Sequence, residues 1–461
     1  MKNLFYKKPI TVPSDQTSTS DQLKRCLTSM DLTLLGIGAI IGAGVFVLTG
    51  IAAAIDAGPS IIISFVIAGI ACAFAALSYA ELSSSIGGCG SAYGYAYAGL
   101  GEILAWIIGW DLILEYVLVC PVIALGWSSY VNNLLTAIGI HLPSYLLHGP
   151  FEVGGMINLP AALIIVLLAI MLGIGTKQSA RFNALMVAIK LLVICLFVVI
   201  ALMNINPANW HPFMPFGWSG IVKGAAFIFF AYIGFDAIST AAEEARNPQK
   251  DVPFGIIASL IVCALIYMIV AGLLTGMASY TTLKVESPIS SSLLNLGYRF
   301  SSALIAVGAV AGLTTAILAM FYGGTRVFLA MSRDQLLPAL FSKISPRTQT
   351  PINTIIIIGS VMTILAGIVP INALAELVNI GTLAAFAMVC CGVIVLRITQ
   401  PNLARPFKVP YSPLLPLLGV LTCIYLMFGL SGETWLRFGI WMVIGIIIYF
   451  SYSRFHALKA R

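Results

Sequence analysis

The chain has 461 residues, of which 60% are hydrophobic and only 9% charged, with a mean hydropathy of +1.01. Soluble domains carry roughly 25% charged residues, so a water-soluble fold is excluded and the solvent of this chain is a bilayer. The net charge of +7 would point to nucleic acid in a soluble protein; here its distribution matters more than its size, and no nucleic-acid partner is expected.

Residues 1–30 are polar and basic, an N-terminal cytoplasmic tail without the apolar core and small-residue cut site of a signal peptide. A spanning helix needs about 20 mostly apolar residues. Twelve stretches qualify: 31–55, 59–84, 102–131, 157–175, 183–203, 219–242, 254–278, 301–330, 352–369, 375–397, 413–430 and 434–452. The breaks between them are polar or rich in Gly and Pro, as in NPQKDVPFG (247–255) and QPNLARPFKVPYSP (400–413), and none could hold a soluble domain. The nine cysteines show no CxxC spacing and mostly lie in apolar runs, so neither a disulfide framework nor a metal site is expected.

Lys and Arg set the orientation. With the N-terminus inside, eighteen of the 24 fall in cytoplasmic segments, and Lys223, Lys284, Arg299 and Arg437 fall outside. Lys190 and Arg326 remain within spans. Both termini are therefore expected in the cytoplasm. The loop SIGGCGSAYGYAYAGLG (85–101) is small, aromatic and almost uncharged. It reads either as a flexible connector or as a re-entrant or interfacial helix buried against protein.

The first span carries GIGAIIGAGVF (36–46), with four glycines in nine residues, each costing a helix about 1 kcal/mol relative to alanine. A dinucleotide fingerprint fails, because Ile41 stands where its third glycine belongs and there is no βαβ unit. Gly38 and Gly42 form GxxxG, a close-packing motif. The remaining reading is a discontinuous helix whose unwound backbone binds ligand near the midplane. Span 6 separates the last two: GAAFIFFAYIGFDAIST (224–240) is interrupted by Gly234 and by Asp236, a carboxyl group at membrane depth. Paired interruptions in spans 1 and 6 favour discontinuous helices over packing alone.

At this point the sequence resembles the amino acid–polyamine–organocation (APC) superfamily of permeases, most closely bacterial members of its cationic amino acid transporter branch. The resemblance is carried by LLGIGAIIGAGVFVLTG (34–50), AALSYAELSS (75–84), GSAYGYAYA (90–98), GWDLILEY (109–116), FFAYIGFDAISTAAEEARNPQKDVPFGI (229–256) and RPFKVP (405–410). It implies an all-α membrane protein of twelve transmembrane helices in the plasma membrane, with a five-plus-five inverted-repeat core of the leucine-transporter type. That core would occupy 31–400, in repeats at about 31–203 and 219–397, and 401–461 would hold helices 11 and 12 and a cytoplasmic tail.

The implied ligand is a free L-amino acid. A carboxylate needs N–H donors and a positive dipole end, which unwound backbone at Gly42, Ala43 and Gly44 would offer, with Ile41 beside them in the substrate site. By similarity, the ammonium would meet carbonyls of Ile40, Phe230, Ala231 and Ile233. Ala43 departs from relatives that carry Ser or Thr there, so one hydroxyl donor is missing. The resemblance makes Phe230 an extracellular lid and Met320 the residue that limits side-chain length, with Cys120 lining the same space. None of these neutralises a cationic side chain, so small neutral amino acids are expected over arginine.

Charges inside a membrane are functional candidates. Lys190 has apolar flanks and, by resemblance, approaches the position that sodium occupies in sodium-coupled relatives. Thr314 and Thr315 resemble the hydroxyl pair that would ligate sodium. With Lys190 present, proton coupling is favoured, and Glu115 and Asp236 are further candidates to carry a proton or pair with a cation. Asp111, Glu81 and the Glu243–Glu244 pair, joined by Arg326, are expected to hold gates and loops together. One charge moved through ~100 mV supplies about 2.3 kcal/mol, which supports roughly a fifty-fold gradient.

An exchanger or a cationic amino acid carrier of the same fold remains an alternative, as does a substrate sensor with the same pocket. No enzyme is expected: the four histidines, His141, His148, His211 and His456, lie in loops or the tail, and neither HExxH nor GxSxG occurs. No cofactor is implied.

Overall fold

Thr28 and Asp31 open the first helix with a reciprocal capping box. The Asp31 carboxylate accepts from the Thr28 N–H at 2.9 Å, and the Asp31 N–H donates to the Thr28 hydroxyl at 3.3 Å. The computed structural model describes residues 6–8, 27–86, 91–137, 139–174, 179–242, 245–285, 287–345, 348 and 350–459. Glu243 and Glu244 lie outside the described residues.

Among the described residues the chain is all-helical, with a single isolated bridge between Leu27 and Ala245. Helix α1 (Ser29–Ile40) and the helical run α2 (44–57) flank the first break. Gly58, with φ +63°, turns the chain against Pro215 into α3 (Ile61–Ser85). Next come α4 (Ser91–Gly99), α5 (Glu102–Ala137), α6 (Leu159–Ile174) and α7 (Ser179–Met203). Helices α8 (Gly217–Ile228) and α9 (Ala237–Thr240) flank the second break. The chain continues through α10 (Pro248–Met277), α11 (Pro288–Asn295), α12 (Arg299–Arg333), α13 (Ile352–Ile368), α14 (Ile371–Thr399), α15 (Leu414–Met427) and α16 (Gly432–Ile448).

Eight helical stretches among the described residues are long and apolar enough to cross a membrane, and α6, α13 and α15 are shorter apolar helices. The outer surface is apolar: Leu163, Leu167 and Ile170 on α6, Leu192 and Val199 on α7, and Ile261 and Leu265 on α10 are all exposed. Such a surface suits lipid. The chain is a multi-pass membrane protein.

Helix α4 resolves the two readings of residues 85–101. It is helical, and every residue but Gly94 is buried; residues 87–90 lie outside the described set. Helix α16 is fastened to α5 by a stack of indoles. Trp110 and Trp441 stack at 4.4 Å, and each Nε1 donates to the other's carbonyl, at 2.9 and 3.2 Å. Trp106 Nε1 also donates to Gly445 O. Below them the buried Glu102 accepts from the Tyr97 and Tyr449 hydroxyls.

Candidate functional site

Both expected interruptions are present, and they face each other. In the first, the Ile41 N–H still donates to Ile37 O, but Ile41 then turns extended with ψ 91°. The next main-chain bond across the break is Phe46 N–H to Gly42 O at 3.4 Å. The ladder therefore skips the N–H groups of Gly42, Ala43, Gly44 and Val45. In the second, α8 tightens into one 3-10 turn over Phe229–Tyr232, Ile233 goes extended, and Gly234 takes φ +121°. Only glycine tolerates that backbone comfortably.

The glycines are where the two breaks touch. A β-carbon on Gly44 would strike the backbone and side chain of Ala231, and one on Gly234 would sit 3.0 Å from the Ala39 carbonyl carbon. The same position on Gly234 lies 3.1 Å from Met320 Cε, and that on Gly42 lies 3.2 Å from Ala316 Cβ. The Cys120 thiol donates to Ile317 O at 3.7 Å, one turn from Met320 on α12. Ile40, Ile41, Ala43, Phe230, Ala231 and Ile233 are all buried. The structure thus brings the sequence candidates for the substrate site together around one junction of α1, α2, α5, α8 and α12.

Lys190 reaches the same junction from α7 and is fully buried. Its Nζ donates to Gly38 O at 2.9 Å and to Ile41 O at 2.8 Å. These carbonyls close α1, where a helix leaves orphan acceptors and partial negative charge. The Lys190 amino group supplies donors to two of the carbonyls at the end of the half-helix. Its stem packs beside Gly312, whose β-carbon would lie 3.4 Å from Lys190 Cε.

Sequence reasoning missed Tyr267. This fully buried residue on α10 places its hydroxyl 2.7 Å from Ile40 O and 2.8 Å from Ala231 O, one carbonyl from each break. A single hydroxyl proton is shared between them. Two of the carbonyls expected to receive an ammonium thus already have a donor, although a carbonyl retains a second lone pair. The available signal was a tyrosine inside an apolar span, because a buried phenol needs a partner.

The carboxyl groups divide. Asp236 Oδ2 accepts from the Tyr116 hydroxyl at 2.7 Å, whereas neither oxygen of the buried Glu115 has a hydrogen-bond partner among the described residues. Glu81 does tie elements together, accepting from Arg397 Nε at 2.9 Å and Val409 N–H at 2.7 Å, with Arg405 at 3.4 Å. Asp111 does not tie anything: neither oxygen has a hydrogen-bond partner among the described residues, and Oδ1 packs on Gly381. Arg326, whose expected partners Glu243 and Glu244 lie outside the described residues, meets its own helix. It bonds the hydroxyl of Tyr322, one turn away, and lies 4.6 Å from the centre of that ring. Residues four apart on a helix lie side by side, which brings the two together.

Both hydroxyls of the Thr314–Thr315 pair donate to carbonyls of their own helix. Thr314 accepts from Trp127 Nε1 at 2.9 Å and donates to Val310 O, whereas Thr315 donates to Gly312 O.

A cavity of about 500 Å³ lies elsewhere. It is lined by Ser129, Asn132 and Asn133 at the C-terminal end of α5, by His148 and Glu152, and by Ser287 and Ser291 around α11. Between it and the junction, Trp127 meets Thr314, and the Tyr130 hydroxyl donates to Phe46 O at 2.7 Å.

The sequence profile described as "Amino acid permease" matches residues 27–452. The chain is 48% identical over 459 residues to a methylthioribose transporter of Bacillus subtilis, covering 99% of each chain. It is equally 48% identical to the branched-chain amino acid permease BcaP of the same organism, over 99% of this chain and 98% of that one. A vacuolar cationic amino acid transporter 4 of Arabidopsis thaliana is 37% identical over 83% of this chain and 64% of its own length. With a profile match along nearly its whole length and end-to-end relatives at this identity, the chain belongs to the amino acid permease family of the APC superfamily.

Proposed function

We propose that this permease is a secondary active transporter that takes up small neutral L-amino acids together with protons, by alternating access around the two breaks. The observation that carries this reading is the pair of facing interruptions, one of which skips the N–H groups of Gly42, Ala43 and Gly44. Those donors suit a carboxylate, and the carbonyls of Ile40, Phe230, Ala231 and Ile233 suit an ammonium. Phe230 would cover the bound ligand, while Met320 and Cys120 would limit its side chain. Neither presents a negative charge, which supports a neutral substrate.

In this reading the helices make twelve crossings with both termini in the cytoplasm of the cell, as the Lys and Arg distribution favours. Residues 31–400 form the inverted-repeat core and 401–461 stand outside it. Lys190 links proton movement to the break, because its charge holds the end of α1; Glu115 and Asp236 are the nearby proton carriers. Uptake into proteoliposomes under an imposed pH gradient tests the coupling. Lys190→Ala is expected to abolish gradient-driven uptake, and sodium dependence of the native protein would reject proton coupling.

A second substrate class is favoured by the identity to a methylthioribose transporter. A thioether sugar has neither carboxylate nor ammonium and would leave the donors of the first break unmatched. Competition uptake separates the two: alanine or branched-chain amino acids displacing the label supports the first reading, and displacement by methylthioribose alone supports the second.

A further inference from the structure

The transport reading uses the two breaks and leaves the distal N-terminus without a role. Residues 6–8 nevertheless dock well ahead of α1, at the junction of α4, α5 and α12. The Lys8 N–H donates to Tyr97 O at 3.1 Å, and the Glu102 N–H donates to Tyr6 O at 3.0 Å. The segment therefore pairs with both sides of the turn that joins α4 to α5. The Tyr6 and Tyr97 rings meet edge to face, 6.5 Å apart. Lys8 Nζ lies 2.7 Å from Asp334 Oδ1, just after α12, and Asp334 Oδ2 accepts from the Tyr93 hydroxyl of α4 at 2.8 Å.

Helix α4 in turn leans on the second broken helix. The Ser239 hydroxyl of α9 donates to the Ser91 hydroxyl at 3.1 Å. Whatever fixes α4 against α5 and α12 therefore also bears on the stub below the second break, at the face where inward opening has to occur in the proposed orientation.

We propose that residues 6–8 are a detachable clip: docked, they hold α4 to α5 and Asp334 and oppose inward opening; released, they free the α4–α9 contact. The strength of the clip fits reversible use. Lys8 is 53% exposed, and ion pairs of that kind contribute little in physiological salt. The clip rests on the proposed orientation and on alternating access, but not on the identity of the substrate.

The test combines amide hydrogen exchange of the full-length protein in lipid nanodiscs with counterflow in proteoliposomes. Lys8→Glu is expected to speed exchange over 91–102 and 237–240 about threefold while leaving 352–368 unchanged, and to raise counterflow roughly two- to fivefold. Combining it with Asp334→Lys is expected to restore both. Unchanged exchange over 91–102 in Lys8→Glu overturns the clip, as does faster exchange that the charge-swapped pair fails to reverse. Hydrogen exchange needs no substrate, so a wrong substrate shows separately, as missing counterflow with the exchange response intact.

Discussion

Lys190 donates to the Ile41 carbonyl at 2.8 Å, at the point where the first helix stops being a helix. A charge from one span thus serves as the end cap of another. In a soluble protein water would fill that role; at membrane depth the carbonyl needs a partner from the chain. Replacing Lys190 with Met keeps the stem and removes the donors. Two charge-assisted bonds are lost, each contributing about 1.5–3 kcal/mol. Thermal unfolding in detergent is expected to shift clearly downward, and Lys190→Arg is expected to recover part of the loss.

Gly44→Ala forces a β-carbon into Ala231, and Gly234→Ala combines a left-handed φ with the approach to Ala39. Each is expected to cost about 1–3 kcal/mol and to abolish substrate-dependent thermal stabilisation. Gly439 faces open space in the middle of α16, so Gly439→Ala is expected to be neutral or up to about 1 kcal/mol stabilising. Unfolding curves of the three variants side by side check this.

Tyr267→Phe removes the hydroxyl shared by Ile40 O and Ala231 O while leaving the ring packed against Phe65 and Tyr232. Leaving buried carbonyls short of a donor costs about 1–3 kcal/mol. The expected result is a roughly tenfold change in substrate affinity, read by competition binding, with expression close to native.

Met320→Ser opens the space beside Gly234. Longer side chains are expected to gain, by about 0.8 kcal/mol per methylene newly buried, so leucine or arginine competes better against alanine than in the native protein. Uptake competition with a graded series of side chains measures it.

Glu81→Gln is expected to loosen the join between α3, α14 and the segment leading to α15. It leaves Arg397 and the nearly buried Arg405 without their carboxylate. Breaking a buried pair of this kind costs about 3–5 kcal/mol, and faster proteolysis between residues 400 and 413 reports it.

Much of this architecture is legible in the sequence because its solvent imposes long apolar runs. Residues 61–85 or 371–399 advertise themselves by length alone. The breaks are legible because glycine inside such a run has few other uses. Helix ends are less so: span 3 is expected to end at 131, yet α5 continues to Ala137, with Asn132 and Asn133 lining the cavity. Cross-span partners are least legible. Tyr267 to Ile40 and Lys8 to Asp334 join residues 227 and 326 positions apart, and no local pattern records such a meeting. Trp127 to Thr314 is a further such meeting, between α5 and α12.

The two interrupted helices are cut unequally. Below the first break stands a twelve-residue rod, about 18 Å long; beyond the second remains only the four-residue Ala237–Thr240. A rod hinged at Ile41 acts as a lever and sweeps a wide arc at its far tip, whereas a single turn has almost no arm. In the proposed transport cycle the larger inward displacement would fall to Ser29–Ile40 rather than to Ala237–Thr240.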